Sequence, residues 1–245
     1  MNKALAALGV IGGGTLVGLA ARQLFFQEER HPPQPRPVLR QGAMPVIPLI
    51  TSCAITSEHV EVVTSRLSEF TGPVGLLIHT NGGYFQPVMQ IARAVQRHGK
   101  VTAIVPYFAL SGGTLIALAA KSVQLWPHAA LGPVDPQIGP FSAGALAAVL
   151  LAKSPENIDD YTLGLAHESR MALAETTRLL KSLIGDNAAA MQRLVSGGLP
   201  HTYPITFEEA KGLGLAVERI QPNAAARSLM TALVSGSDSE RPIYI

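Results

Sequence analysis

From Met44 onward, short apolar runs alternate with stretches in which apolar residues recur every three or four positions. "PVIPLIT" (45–51) and "VGLLIHT" (74–80) have the length and aliphatic content of strands. The second is apolar at nearly every position, as a strand buried on both faces would be. Between them Val60, Val63, Leu67 and Phe70 share one face of a helix predicted over 57–70. "NGG" (81–83) is a turn signal closing the second strand. Pro87 suits the first turn of a helix over 86–98, with Val88, Ile91, Ala92 and Val95 inward and Gly99 as its stop. "KVTAIVP" (100–106) predicts a third strand, "GGTLIALAAK" (112–121) a buried helix and "SVQLWP" (122–127) another short strand.

"LGPVDPQIGP" (131–140) carries too much proline and glycine for regular structure and predicts a shaped loop. Residues 142–152 and 159–196 read as mostly helical. Thr206 followed by Glu209 fits a capping box, opening a short helix that Gly212 and Gly214 end before "LAVERI" (215–220). Strands separated by helices are the pattern of an α/β domain built from crossover units.

The first forty residues are different. From Ala4 to Ala21 there are 18 uncharged positions, between Lys3 and Arg22. As a helix this run would span about 27 Å, close to a bilayer core of about 30 Å. It predicts a single-pass membrane anchor over 1–27, with a cleaved signal segment as the alternative. "HPPQPRP" (31–37) then predicts an extended Pro-rich linker over 28–43, leaving 44–245 as the folded domain. Arg22, Arg30, Arg36 and Arg40 follow the segment, which by the positive-inside rule places that domain in the cytoplasm.

Composition narrows the chemistry. The 245 residues are 47% hydrophobic and 15% charged with a net charge of +2, and the basic residues are scattered rather than striped, which argues against nucleic-acid binding. A single cysteine, Cys53, excludes an intrachain disulfide and a cysteine-built zinc site. No pair of histidines or carboxylates has metal-ligand spacing, so no metal is expected. Gly12 to Gly14 follow no strand and lack the dinucleotide-binding spacing, so no cofactor is expected either.

Two consecutive predicted strands end in glycine pairs, Gly82-Gly83 and Gly112-Gly113, and Ser111 stands immediately before the second pair. A hydroxyl at a strand-to-helix turn beside unobstructed backbone amides is what acyl transfer needs: a nucleophile with donors aimed at a developing oxyanion. The same residues also describe an ordinary helix cap.

"LLIHTNGG", "FALSGGTLIALAA", "LGPVDPQIG" and "HTYPITFEEAKGLGLAV", in this order from Ile47 to Ile220, resemble the serine dehydrogenase proteinase family. That family lies among the ClpP-class proteases of the ClpP/crotonase superfamily and is related to the signal peptide peptidase SppA. The resemblance implies an α/β fold, a ClpP/crotonase-like spiral of ββα units with a helical insert, and a serine endopeptidase acting on peptide or protein substrates, assembled as a homo-oligomer. Residue by residue, it implies Ser111 as nucleophile and Gly82, Gly83 and Gly112 as the oxyanion-binding glycines. Asp135 stands where ClpP carries its histidine, and His201 near where ClpP carries its aspartate. The two roles are therefore expected to be exchanged, with His201 as base and Asp135 orienting it.

Lys153, 42 positions after the serine, is the rival base of a SppA-like dyad. Thr202 replaces the aspartate of the family's "His-Asp-Tyr-Pro", and Asn81 replaces a proline. A crotonase-type acyl-CoA enzyme and an inactive membrane scaffold remain the alternatives. Of the other histidines, His79 is expected to be a satisfied core group or one that supports a site residue from behind, His128 to lie on a surface turn and His167 on a helix face.

Overall fold

The computed structural model describes residues 44–196 and 198–236. The expected anchor (1–27) and linker (28–43) lie outside the described residues. Among the described residues no helix is long and apolar enough to cross a membrane.

In chain order the elements are β1 (Val46–Thr51), α1 (Ser57–Ser68), β2 (Val74–Thr80), α2 (Phe85–His98), β3 (Val101–Val105), β4 (Phe108–Ala109), α3 (Gly112–Leu118), β5 (Ser122–Leu125), β6 (Ala130–Leu131), β7 (Gln137–Ile138), β8 (Phe141–Ser142), α4 (Ala143–Ala152), α5 (Asp160–Ile184), α6 (Ala188–Val195), β9 (Ile205–Thr206), α7 (Phe207–Gly212), β10 (Val217–Arg219) and α8 (Ala224–Gly236). The main sheet runs β10-β5-β3-β2-β4-β6-β9, with β1 on the other side of β2. All its pairs are parallel except β6 with β9. β2 is the strand the pattern marked as doubly covered, and Val74, Leu76 and Ile78 are fully buried.

Three expectations change. The helical stretch 159–196 is two helices, because α5 stops at Gly185, whose φ of 69° and ψ of −159° no helix accommodates. The loop 131–140 contains half of a small hairpin, β7 against β8. The helix after Ser111 ends at Leu118, three residues before the apolar pattern does.

Register positions the site. Thr80 of β2 pairs with Ala109 of β4, and Leu110 N–H donates to Thr80 C=O at 3.0 Å, so both strands end at one level with their glycine pairs side by side. Beyond β4 the chain reverses in one step. Ser111 has φ 50° and ψ −121°, and Gly113 N–H donates to Leu110 C=O at 2.7 Å. These are the angles of the first central residue of a type II′ turn, a position usually held by glycine. Ser111 is the only non-glycine residue with positive φ among the described residues. Thr114, fully buried, locks α3 behind this turn: its hydroxyl donates to Ala109 C=O at 2.6 Å and accepts from Gly132 N–H at 2.9 Å.

His79 departs from expectation differently. It is half-buried, stacked 4.2 Å from Phe108 and 5.5 Å from Tyr107 between ring centroids, and its Nδ1 is buried with no hydrogen-bond partner. The ring is packed but not satisfied, and desolvation holds its pKa below the ordinary value.

Two measurements check this account. Backbone strain at Ser111 costs on the order of 1–3 kcal/mol. Replacing it by glycine should therefore give a protein more stable than Ser111→Ala by about 1 kcal/mol in denaturant unfolding; equal stability would show the turn to be unstrained. For His79, the unfolded chain titrates near about 6.5 and the folded chain lower, so its contribution is complete above that pH and is lost as pH falls. His79→Phe should show a smaller fall in Tm from pH 7.5 to pH 5 than the parent, whereas parallel curves would refute the assignment.

Candidate active site

The two glycine-bearing segments touch. A β-carbon on Gly82 would lie 2.7 Å from Ser111 Cβ and 3.1 Å from Gly112 N, and Gly82 itself has φ 108°, so no other residue fits there. Gly83 is held just as closely from the other side. Ile55 N–H donates to Gly82 C=O at 2.9 Å and Ile55 C=O accepts from Tyr84 N–H at 3.0 Å. Gly83 packs so near that a β-carbon would lie 2.2 Å from Ile55 N. In a parallel bridge of this kind the groups flanking Gly83 face Ile55, so the N–H and C=O of Gly83 itself point to the opposite side.

Among the described residues the amides of Gly83 and Gly112 make no hydrogen bond, the second because the first turn of a helix leaves its donors free. These are the two amides able to receive an anionic oxygen. Gly82 differs from expectation: its N–H donates to Thr80 Oγ1 at 3.0 Å and is committed there, so its contribution is the close approach rather than a donor. Gly112 owes its place to space, since a β-carbon there would lie 2.4 Å from a Val88 methyl.

His201 and Asp135 come from loops 66 positions apart and meet at 2.8 Å, His201 Nδ1 to Asp135 Oδ1. The carboxylate is 1% exposed. Gln137 Nε2 donates to the other carboxylate oxygen at 2.7 Å and lies 3.1 Å from His201 Nδ1. An ionised carboxylate only accepts, so Nδ1 carries the proton, and Nε2 is left with the lone pair of a base. A cavity of about 360 Å³ joins the parts: Ser111, Gly83, Gly112 and His201 line it together with Leu115 and Val134. The Ser111 hydroxyl has no hydrogen-bond partner among the described residues.

The loop carrying Asp135 is fixed at two points just ahead of it. Thr114 holds Gly132, and Val134 N–H donates to Leu194 C=O of α6 at 2.7 Å. Lys153, the rival base, is the exposed C-cap residue of α4 and does not line the cavity. Thr202 is exposed beside His201, whose carboxylate partner is Asp135 instead. His128 and His167 are exposed as expected. Among the described residues no three His, Cys, Asp or Glu side chains gather to hold a metal ion.

Gln137, Thr114 and Ile55 were not singled out in the sequence. Gln137 stands two positions beyond Asp135 in an extended segment, a spacing that puts both on one side. Nothing local marks Thr114 or Ile55, whose partners are distant.

Residues 38–232 match the family described as ClpP-like SDH-type serine proteinase. Two proteins of Methanocaldococcus jannaschii are similar: uncharacterized protein MJ0137, 42% identical over 157 residues that cover 61% of this chain and 55% of the relative, and uncharacterized protein MJ1495, 37% identical over 192 residues that cover 75% and 65%. The chain thus spans less than two thirds of either relative's length. ClpP1 from Listeria monocytogenes shares the fold, with a TM-score of 0.52 at 16% identity over 74% of this chain and 94% of that one. With the family match extending over most of the sequence and over every residue that lines the cavity, the chain belongs to the ClpP-like SDH-type serine proteinases.

Proposed function

We propose that this protein is a serine endopeptidase that hydrolyses peptide bonds through a Ser111 acyl-enzyme. The observation that carries the reading is the His201–Asp135 pair opening on the same cavity as Ser111. In the proposed cycle Ser111 Oγ attacks the scissile carbonyl carbon while His201 Nε2 takes the hydroxyl proton. The oxyanion forms between the N–H groups of Gly83 and Gly112. His201 returns the proton to the leaving amine, and a water activated by the same nitrogen then releases the acyl group and restores Ser111. Asp135, kept in place by Gln137, holds the tautomer and stabilises the imidazolium. The hydroxyl and imidazole are brought into bonding contact when substrate closes the cavity, as is common for unliganded sites. The outward N–H and C=O of Gly83 suit a substrate bound as an added strand.

Two further parts of the proposal concern assembly. The uncharged stretch from Ala4 to Ala21 would tether the protein to a membrane, on the strength of its sequence. A homo-oligomer is supported by α4, which holds no charged residue and is flanked by exposed apolar side chains, Phe141 (54% exposed) before its start and Leu151 (92%) near its end.

Labelling by a fluorophosphonate probe tests the chemistry. The folded parent should be labelled and Ser111→Ala should not. Asp135→Asn should slow labelling by about 10²–10⁴-fold, as loss of the orienting carboxylate does elsewhere, and Lys153→Ala should leave the rate unchanged. Absence of labelling, or a rate abolished by Lys153→Ala and retained in His201→Ala, would overturn the assignment. A second test separates the amide from the hydroxyl. Gly112→Ala should lower casein cleavage about 10²-fold by moving the Gly112 donor, and Val88→Ala in the same chain should recover part of it by vacating the space the new methyl needs.

A further inference from the structure

Between β1 and α1 lies a short segment whose two neighbouring residues face different partners. Ile55, fully buried, brackets Gly83 with the hydrogen bonds described above, and its backbone is the surface against which Gly83 rests. The direction of the Gly83 amide therefore follows the position of Ile55. The next residue, Thr56, caps α1, and its backbone N–H donates to His59 Nδ1 at 3.1 Å, with the Thr56 hydroxyl 2.9 Å from the same nitrogen. This is the half of a capping box in which the third helical residue reaches back to the cap, a place usually taken by Glu or Gln. A backbone N–H can only donate, so Nδ1 offers its lone pair and the ring is neutral with its proton on Nε2.

We propose that His59 is a positioning residue for the Gly83 amide, acting through Thr56 and Ile55, and that only its neutral ring does this. The proposal rests on the peptidase reading and adds to it an acid-sensitive group separate from the base. Protonation would place a hydrogen on Nδ1 facing the Thr56 N–H, two donors with no acceptor between them, and the cap would open next to the residue that seats Gly83. The surroundings favour the neutral form. The ring is half-buried, and desolvation lowers its pKa more than Glu58, beside it on α1, raises it. α2, packed on α1, brings Arg93 and Arg97 to the groove beside Val60 and Thr64, and β1 carries no charged residue.

The test compares the parent with His59→Gln and His59→Ala between pH 5 and 8. The probe-labelling rate per folded molecule is read alongside the hydrogen-exchange protection of the Ile55 and Tyr84 amides. Gln can make the reach-back bond without titrating. At pH 7.5, His59→Gln should label at a rate close to the parent and His59→Ala about tenfold more slowly, the cost of a small displacement of a catalytic donor. Toward pH 5 the parent rate should fall more steeply than that of His59→Gln. Protection at Ile55 and Tyr84 should drop in His59→Ala at all pH values, drop in the parent at acid pH, and persist in His59→Gln.

A His59→Ala protein with lower Tm but undiminished labelling rate would reduce the bond to a helix cap and overturn the proposal. So would identical acid limbs in the parent and His59→Gln, a comparison that remains available if His59→Ala does not fold. If the folded parent is not labelled at any pH, the peptidase reading fails, and the exchange data decide the His59 linkage separately: unchanged protection in His59→Ala would refute it.

Discussion

Leu110 donates its N–H to the carbonyl of Thr80, the last residue of β2, across 3.0 Å, carrying the pairing of β4 with β2 one residue past the end of β4. Everything around the cavity inherits its position from this bond. It sets the two glycine pairs at the same height, so that Gly82 contacts the Ser111 β-carbon and the unpaired amides of Gly83 and Gly112 come from adjacent strand ends. A one-residue slip would turn β4 over and remove Ser111 from the cavity. The type II′ turn is the local cost of ending a strand and starting a helix within three residues, and Ser111 occupies its strained corner because the corner is where a side chain is presented outward.

The rest of the site is held by long-range hydrogen bonds to that frame. Thr114 joins β4, α3 and the Gly132 loop through one hydroxyl. The loop in turn presents Asp135, nearly inaccessible to water, to His201. A buried carboxylate needs partners on both oxygens, and it has them in His201 and Gln137. On the opposite side Ile55 presses Gly83 into place with backbone groups only. The cavity is thus bounded by segments from six separate regions of the chain, and the loops among them are fixed by partners distant in sequence.

How much of this was legible differs from element to element. α2 was readable to within a residue because Pro87, the inward spacing of Val88, Ile91, Ala92 and Val95, and Gly99 are all local signals. The capping of α7 was readable for the same reason, and Glu209 N–H does donate to Thr206 Oγ1. The break between α5 and α6 was missed since the apolar periodicity continues across it while the backbone at Gly185 does not. His79 was read as satisfied because its strand is buried; burial was right, but no donor or acceptor from a neighbouring strand meets its Nδ1.

By itself the sequence determined the α/β pattern, the two glycine pairs and the serine between strand and helix, because strand alternation, helix spacing and turn chemistry act over a few residues. Through its resemblance to a family it also pointed to Asp135 and His201. Only the tertiary structure decided which of the candidate residues share the cavity with Ser111. It joined His201 to Asp135 across 66 positions, left Lys153 at an exposed helix end, and engaged the Gly82 amide with Thr80 while leaving those of Gly83 and Gly112 unpaired. Those outcomes depend on how loops from distant strands pack against one another and on which way single peptide groups point, and neither is encoded in any short stretch of the chain.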